Sequence, residues 1–137
     1  MNRFRSFNRG RLLSICILVA GAATLAPAKA REHELRAYFI DVEGDQSTLF
    51  VTPTGQSLLI DTGRPDNGGR DADRIVAAAR NAGISRIDYV LLTHYHDDHA
   101  GGVPNLVQRI PVGTFIDHGP NSETRAGDPT VKVWEAY

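Results

Sequence analysis

Thr93-His94-Tyr95-His96-Asp97-Asp98-His99-Ala100-Gly101-Gly102 is the stretch on which the reading of this chain turns. Three of the chain's five histidines fall within six residues, with carboxylates between them. A single histidine at a strand end is ordinarily a satisfied surface polar group. Three, with an interleaved carboxylate, form a pattern of metal ligands. His94 and His96, one residue apart in extended chain, point to the same side and can share one ion. Asp98 and His99 follow after a bend and can serve a second ion beside the first. Imidazole and carboxylate without thiolate suit zinc best, and iron or manganese also accept such donors. Gly101 and Gly102 let the backbone turn tightly and start the next helix close to the site.

Upstream of this stretch, Ile87 to Leu92 is a largely apolar run that reads as the strand leading into it. Before that strand, Ala72, Ile75, Val76 and Ala79 fall at i, i+3, i+4 and i+7, which predicts a helix over 71–82 with one apolar face. Asp71 and Asp73 lie at the positive end of its dipole, Arg80 lies near the negative end, and Gly83 can cap it. Gly63 to Gly69 is a polar loop that lacks the Lys-Ser/Thr ending of a phosphate cradle. Thr48–Thr52 and Ser57–Asp61 read as hairpin arms around Pro53 and Gly55. Leu58-Leu59-Ile60 reads as a strand covered on both faces. Leu35 to Asp41 is an imperfectly alternating strand. Downstream, Val103 to Ile110 reads as a short helix with Pro104 in its first turn, Val112 to Ile116 as a last strand, and the rest as turns. Strands, helix, strand, helix, strand in that order indicate an α/β layer.

The first thirty residues belong to a different argument. Arg3, Arg5, Arg9 and Arg11 precede an apolar run from Leu12 to Leu25, and Ala26-Pro27-Ala28-Lys29-Ala30 supplies small residues for a peptidase. That layout predicts a secretory signal peptide over 1–30, cleaved after Ala30, and a periplasmic or secreted product with no lasting membrane association. The run falls short of the ~20 residues that span a bilayer, which disfavours an uncleaved anchor. The segment holds five basic residues and no acidic one, so residues 31–137 keep ten Lys+Arg against sixteen Asp+Glu, a formal charge of −6. Such a surface repels polyanions, so a small molecule is favoured over nucleic acid as the partner. The only cysteine, Cys16, lies in the leader, and this excludes both a disulfide framework and a Cys-ligated metal from the mature part. The oligomeric state has no signal in the sequence.

His94, His96, Asp98 and His99 match in full the His-x-His-x-Asp-His signature of the metallo-β-lactamase superfamily, which the chain resembles. Leu58-Leu59-Ile60-Asp61-Thr62-Gly63 is similar to the superfamily's strand ending in Asp-Thr-Gly, and the likeness runs from about Leu35 to Asp117. The resemblance implies a four-layer αββα sandwich with its metals at one edge of two facing sheets, of which residues 31–137 would be the N-terminal half. It implies that His94 and His96 bind one zinc and Asp98 and His99 a second, and that Asp61 braces the metal loop. It also implies metal-assisted hydrolysis, in which two cations ~3.5–4 Å apart hold a hydroxide whose parent water has its pKa lowered toward ~7. Asp98 would then be catalytic as well as a ligand, orienting the nucleophile, while Asp97 falls at a variable position and reads as solvated.

The superfamily completes its site with further His and carboxylate ligands well downstream of the cluster. His118 comes too early for that role and reads as a pocket-rim residue, and the chain is expected to be part of a longer protein. Phe39-Ile40-Asp41-Val42-Glu43-Gly44-Asp45 resembles the metallo-hydrolase domain of bacterial DNA-uptake proteins, with Glu43, Asp45 and Gln46 standing where that branch has Gly, Gly and Asp. Phosphodiester, lactam, lactone and thioester all remain open as substrates. Two other classes fit the same residues: a mononuclear iron oxygenase that oxidises thiols, and a non-catalytic remnant that binds a partner.

Overall fold

In the computed structural model, which describes residues 34–123, 125 and 127–137, the alternating segments become one mixed sheet. The elements are β1 (Arg36–Phe39), β2 (Thr48–Val51), β3 (Ser57–Ile60), α1 (Arg70–Asn81), β4 (Ile87–Leu91), α2 (Asp97–Ala100), α3 (Val103–Val107), β5 (Val112–Ile116) and α4 (Pro129–Ala136). The strands lie in chain order, with β1, β2 and β3 antiparallel and β3, β4 and β5 parallel. The α/β expectation therefore holds. The leader reading over 1–30 lies outside the described residues.

One face of the sheet carries the core. Leu49, Val51, Leu59 and Val90 are buried against Ala72, Ile75, Val76 and Ala79 of α1, and Leu106 of α3 closes one side. A fully buried Leu, Ile or Val contributes ~1.5–3 kcal/mol, so this single layer supplies most of what holds the sheet to its helices. Gly83 adopts φ 77 after α1, Gly83 N–H donates to Arg80 O at 3.0 Å, and Ile84 N–H donates to Ala79 O at 3.0 Å. These two bonds form a Schellman cap.

Three expectations need correction. Leu58 and Ile60 are only half-buried, because among the described residues nothing packs on the second face of β3. The helix expected over Val103 to Ile110, α3, ends at Val107. The region after β5 is not all turn, since α4 forms there. The Asp128 carboxylate caps it by accepting from Thr130 N–H at 2.9 Å, and Pro129 takes its first turn.

Candidate metal centre

The parallel strands deliver the site residues at their carboxyl ends: Asp61 after β3, Thr93 and His94 after β4, Asp117 and His118 after β5. The histidine loop, 93–102, is stitched to the end of β3 by its backbone. Thr62 N–H and Oγ1–H both donate to His99 O, at 2.7 and 3.0 Å. Gly102 N–H donates to Gly63 O at 2.8 Å, and Gln46 N–H of the β1–β2 loop donates to Asp98 O at 3.1 Å. A Cβ at Gly102 would lie 2.1 Å from Thr62 O, and one at Gly63 would lie 2.5 Å from Asp71 Oδ2. Gly102 is required for the close approach of the two loops, and Gly63 for the approach of Asp71 at the start of α1.

Asp61 is fully buried, with φ 60. Its carboxylate accepts from Thr93 N–H at 2.9 Å and from Thr93 Oγ1–H at 2.8 Å. Nδ1 of His99 stands at 2.8 Å. A carboxylate can only accept, so His99 carries its proton on Nδ1 and leaves Nε2 free, 3.5 Å from Asp98 Oδ2. The same logic passes through Thr93. Its hydroxyl proton is committed to Asp61, so its oxygen accepts from His94 Nδ1–H at 3.1 Å. The His94 lone pair then sits on Nε2 and faces His96 Nδ1 at 3.1 Å. Burial, followed by the neighbouring His99 and His96, holds the His94 imidazole below the ordinary histidine range, in the neutral form that binds metal.

The structure thus brings His94, His96 and His99 together, with ring centroids 4.6 and 4.0 Å from that of His94. Among the described residues, no three His, Cys, Asp or Glu side chains surround a common point as a bound ion requires. The donors stand in pairs instead. Zinc bound 2.0–2.1 Å from two nitrogens at a tetrahedral angle would hold them roughly 3.3 Å apart, close to the His94–His96 separation. The donor chemistry and this spacing fit zinc.

Asp97 is not merely solvated: its Oδ2 accepts from Arg64 at 2.9 Å, and the same guanidinium reaches the Asp45 carboxylate at 2.8 Å. Burial pushes the Asp45 carboxyl up, against the pull of Arg64. His118 is exposed and rests on the buried Tyr95, ring centroids 4.8 Å apart, and the Tyr95 hydroxyl donates to Gly119 O at 2.7 Å. Glu123, which no local pattern singled out, stands 3.5 Å from His96 Nε2.

The family model described as the metallo-beta-lactamase superfamily matches residues 41–129. A hydroxyacylglutathione hydrolase of Stenotrophomonas maltophilia is 40% identical over 84 residues, covering 58% of this chain and 30% of that protein. An atrochrysone carboxyl ACP thioesterase of Aspergillus fumigatus is 37% identical over 76 residues, covering 51% of this chain and 17% of that protein. A metallo-beta-lactamase crystallised with 2-mercaptoethanesulfonate superposes with a TM-score of 0.47 at 26% identity, over 58% of this chain and 29% of that one. The chain spans less than a third of the length of each of these relatives.

Proposed function

This chain belongs to the metallo-beta-lactamase superfamily, and from that premise we propose that it carries the N-terminal ligands of a zinc-dependent hydrolase. The observation that carries the reading is the facing of His94 Nε2 and His96 Nδ1 at 3.1 Å. The hydrogen bonds around His94 leave its lone pair directed at His96. Two such lone pairs repel unless a cation or a proton lies between them.

Bound zinc supplies Lewis acidity and lowers the pKa of a bound water toward ~7. The protein's own groups do the rest. His94 and His96 hold one ion, and Asp98 and His99 hold a second. Asp98, only partly buried, would orient the attacking water. Asp61 keeps His99 and, through Thr93, His94 in the tautomers that ligate. The metal ligands, αββα sandwich and small-molecule substrate implied by the resemblance all belong to this reading. A thioester is the substrate class to try first, because an ACP thioesterase stands among the similar proteins.

The test is zinc competition against a chelating dye in the full chain. His94→Ala and His96→Ala are expected to weaken binding at least tenfold while leaving the far-UV circular dichroism unchanged. In the whole enzyme, Asp98→Ala should abolish turnover of an acyl thioester. Zinc affinity that is equal in the wild type and in the His94→Ala/His96→Ala double variant would sink the reading.

A further inference from the structure

The turn chemistry between β5 and α4 brings a carboxylate to the histidine cluster from outside the metal loop. Asn121 Nδ2 donates to Glu123 O at 3.1 Å and to Thr130 Oγ1 at 3.2 Å, and Glu123 N–H returns a bond to Asn121 Oδ1 at 3.0 Å. Thr130 is buried at the capped start of α4. Asn121 therefore ties the backbone of Glu123 to the helix at a place from which its side chain reaches His96, Oε2 to Nε2 at 3.5 Å. Both side chains are about half exposed, at 49% and 52%, and a polar contact so placed contributes little to stability.

A ligand histidine needs its outer ring nitrogen protonated and engaged, so that its inner lone pair is free and aimed. Asp61 does this for His99 at 2.8 Å, and Thr93 does it for His94 at 3.1 Å. His96 has two competing choices. A proton on Nδ1 would be donated to His94 Nε2, at 3.1 Å, and would block the space between the two rings. A proton on Nε2 faces Glu123 and leaves Nδ1 free. We propose that Glu123 is the positioning residue for His96, holding it in the Nε2–H tautomer so that Nδ1 faces the ion shared with His94. This rests on the metal reading above and adds a residue from a different loop to it.

The test uses imidazole-selective nitrogen NMR on the metal-free full chain, together with zinc titration of the same samples. The wild type should show His96 protonated on Nε2. Glu123→Ala should shift it toward the Nδ1–H form and weaken zinc binding by about 10- to 100-fold. Glu123→Gln, whose amide oxygen still accepts a hydrogen bond, should restore the wild-type tautomer and most of the affinity. Glu135→Ala, exposed on α4, should change neither. An unchanged His96 tautomer and zinc affinity in Glu123→Ala, alongside lost binding in His96→Ala, would overturn this inference alone. If His96→Ala also leaves zinc binding untouched, the metal reading falls, and the tautomer in Glu123→Ala still decides what Glu123 does.

Discussion

At Asp61 three donors converge on one buried carboxylate: the Thr93 amide, the Thr93 hydroxyl and His99 Nδ1. Its carbonyl oxygen accepts a fourth bond, from Ser47 Oγ at 3.1 Å. Truncation would take the shared acceptor from three donors, of which those on exposed Thr93 can turn to water and His99 Nδ1 is the more enclosed, at ~1–3 kcal/mol for a buried unpaired group, and would leave a non-glycine residue without polar help in the left-handed region. Asp61→Ala should therefore destabilise the chain by about 2–3 kcal/mol, read as a shift in the urea midpoint. Asp61→Asn tolerates the same backbone and keeps one acceptor oxygen, so it should cost less but release the His99 ring from its fixed tautomer. A urea midpoint within error of wild type in Asp61→Ala would show that the carboxylate does not organise the loop.

At the scale of elements, two glycines separate backbone conformation from space. Gly83 ends α1 at φ 77, and an added Cβ would meet nothing within 4 Å. Gly83→Ala should cost only the left-handed penalty, roughly 1–2 kcal/mol. Gly102 has ordinary helical angles, φ −75 and ψ −10, yet a Cβ there would lie 2.1 Å from Thr62 O. Gly102→Ala should therefore cost more than Gly83→Ala, about 3 kcal/mol or above, because the histidine loop must move off the end of β3. The reverse order, measured by urea unfolding, would contradict the close approach. Helix α4 responds to acid instead. The Tyr137 hydroxyl and then Gly119 N–H hold the Asp117 carboxyl below its ordinary range, and Thr130 does the same for the capping Asp128. Carboxyls lowered in the folded state contribute stability that is present above their ordinary pKa of ~3.9 and lost as pH falls through the lowered values. Trp134, the chain's single tryptophan, packs on Tyr95 at 4.8 Å and reports the docking of α4. Its emission should shift to the red below pH ~4, and Tyr137→Phe should shrink this pH-dependent change. Emission that stays constant down to pH 2 would rule the linkage out.

At the scale of the molecule, the sheet is dressed on one side only among the described residues. Its second face presents Phe39, 84% exposed, with Tyr89 and Ile116, and a cavity of about 410 Å³ lies over Phe50, Leu58 and Tyr89. An apolar area of this kind marks a surface that a partner layer covers. In the four-layer arrangement that family resemblance implies, a second sheet would take that place. The full chain by itself should therefore brighten an apolar fluorescent dye. Phe39→Lys should reduce that signal with little change in unfolding midpoint, because the ring loses almost no burial. No dye response from the wild type would mean that the face is already covered.

The pattern in the sequence determined whatever depends on near neighbours. The 3.6-residue period of Ala72, Ile75, Val76 and Ala79 was enough for α1, and the short apolar runs were enough for β3, β4 and β5. The histidine spacing marked the loop where His94, His96 and His99 meet, and Asp-Thr-Gly marked the carboxylate of Asp61 that Thr93 and His99 contact. Gly127-Asp128-Pro129 misled because the residues that favour a turn are also those that cap a helix and occupy its first turn. Tertiary structure alone decided that Arg64 grips Asp97 and Asp45, and that Glu123 faces His96. Each of these pairs joins side chains on different loops. Parallel strands set those loops side by side at one end of the sheet, and no local periodicity records which side chains meet there.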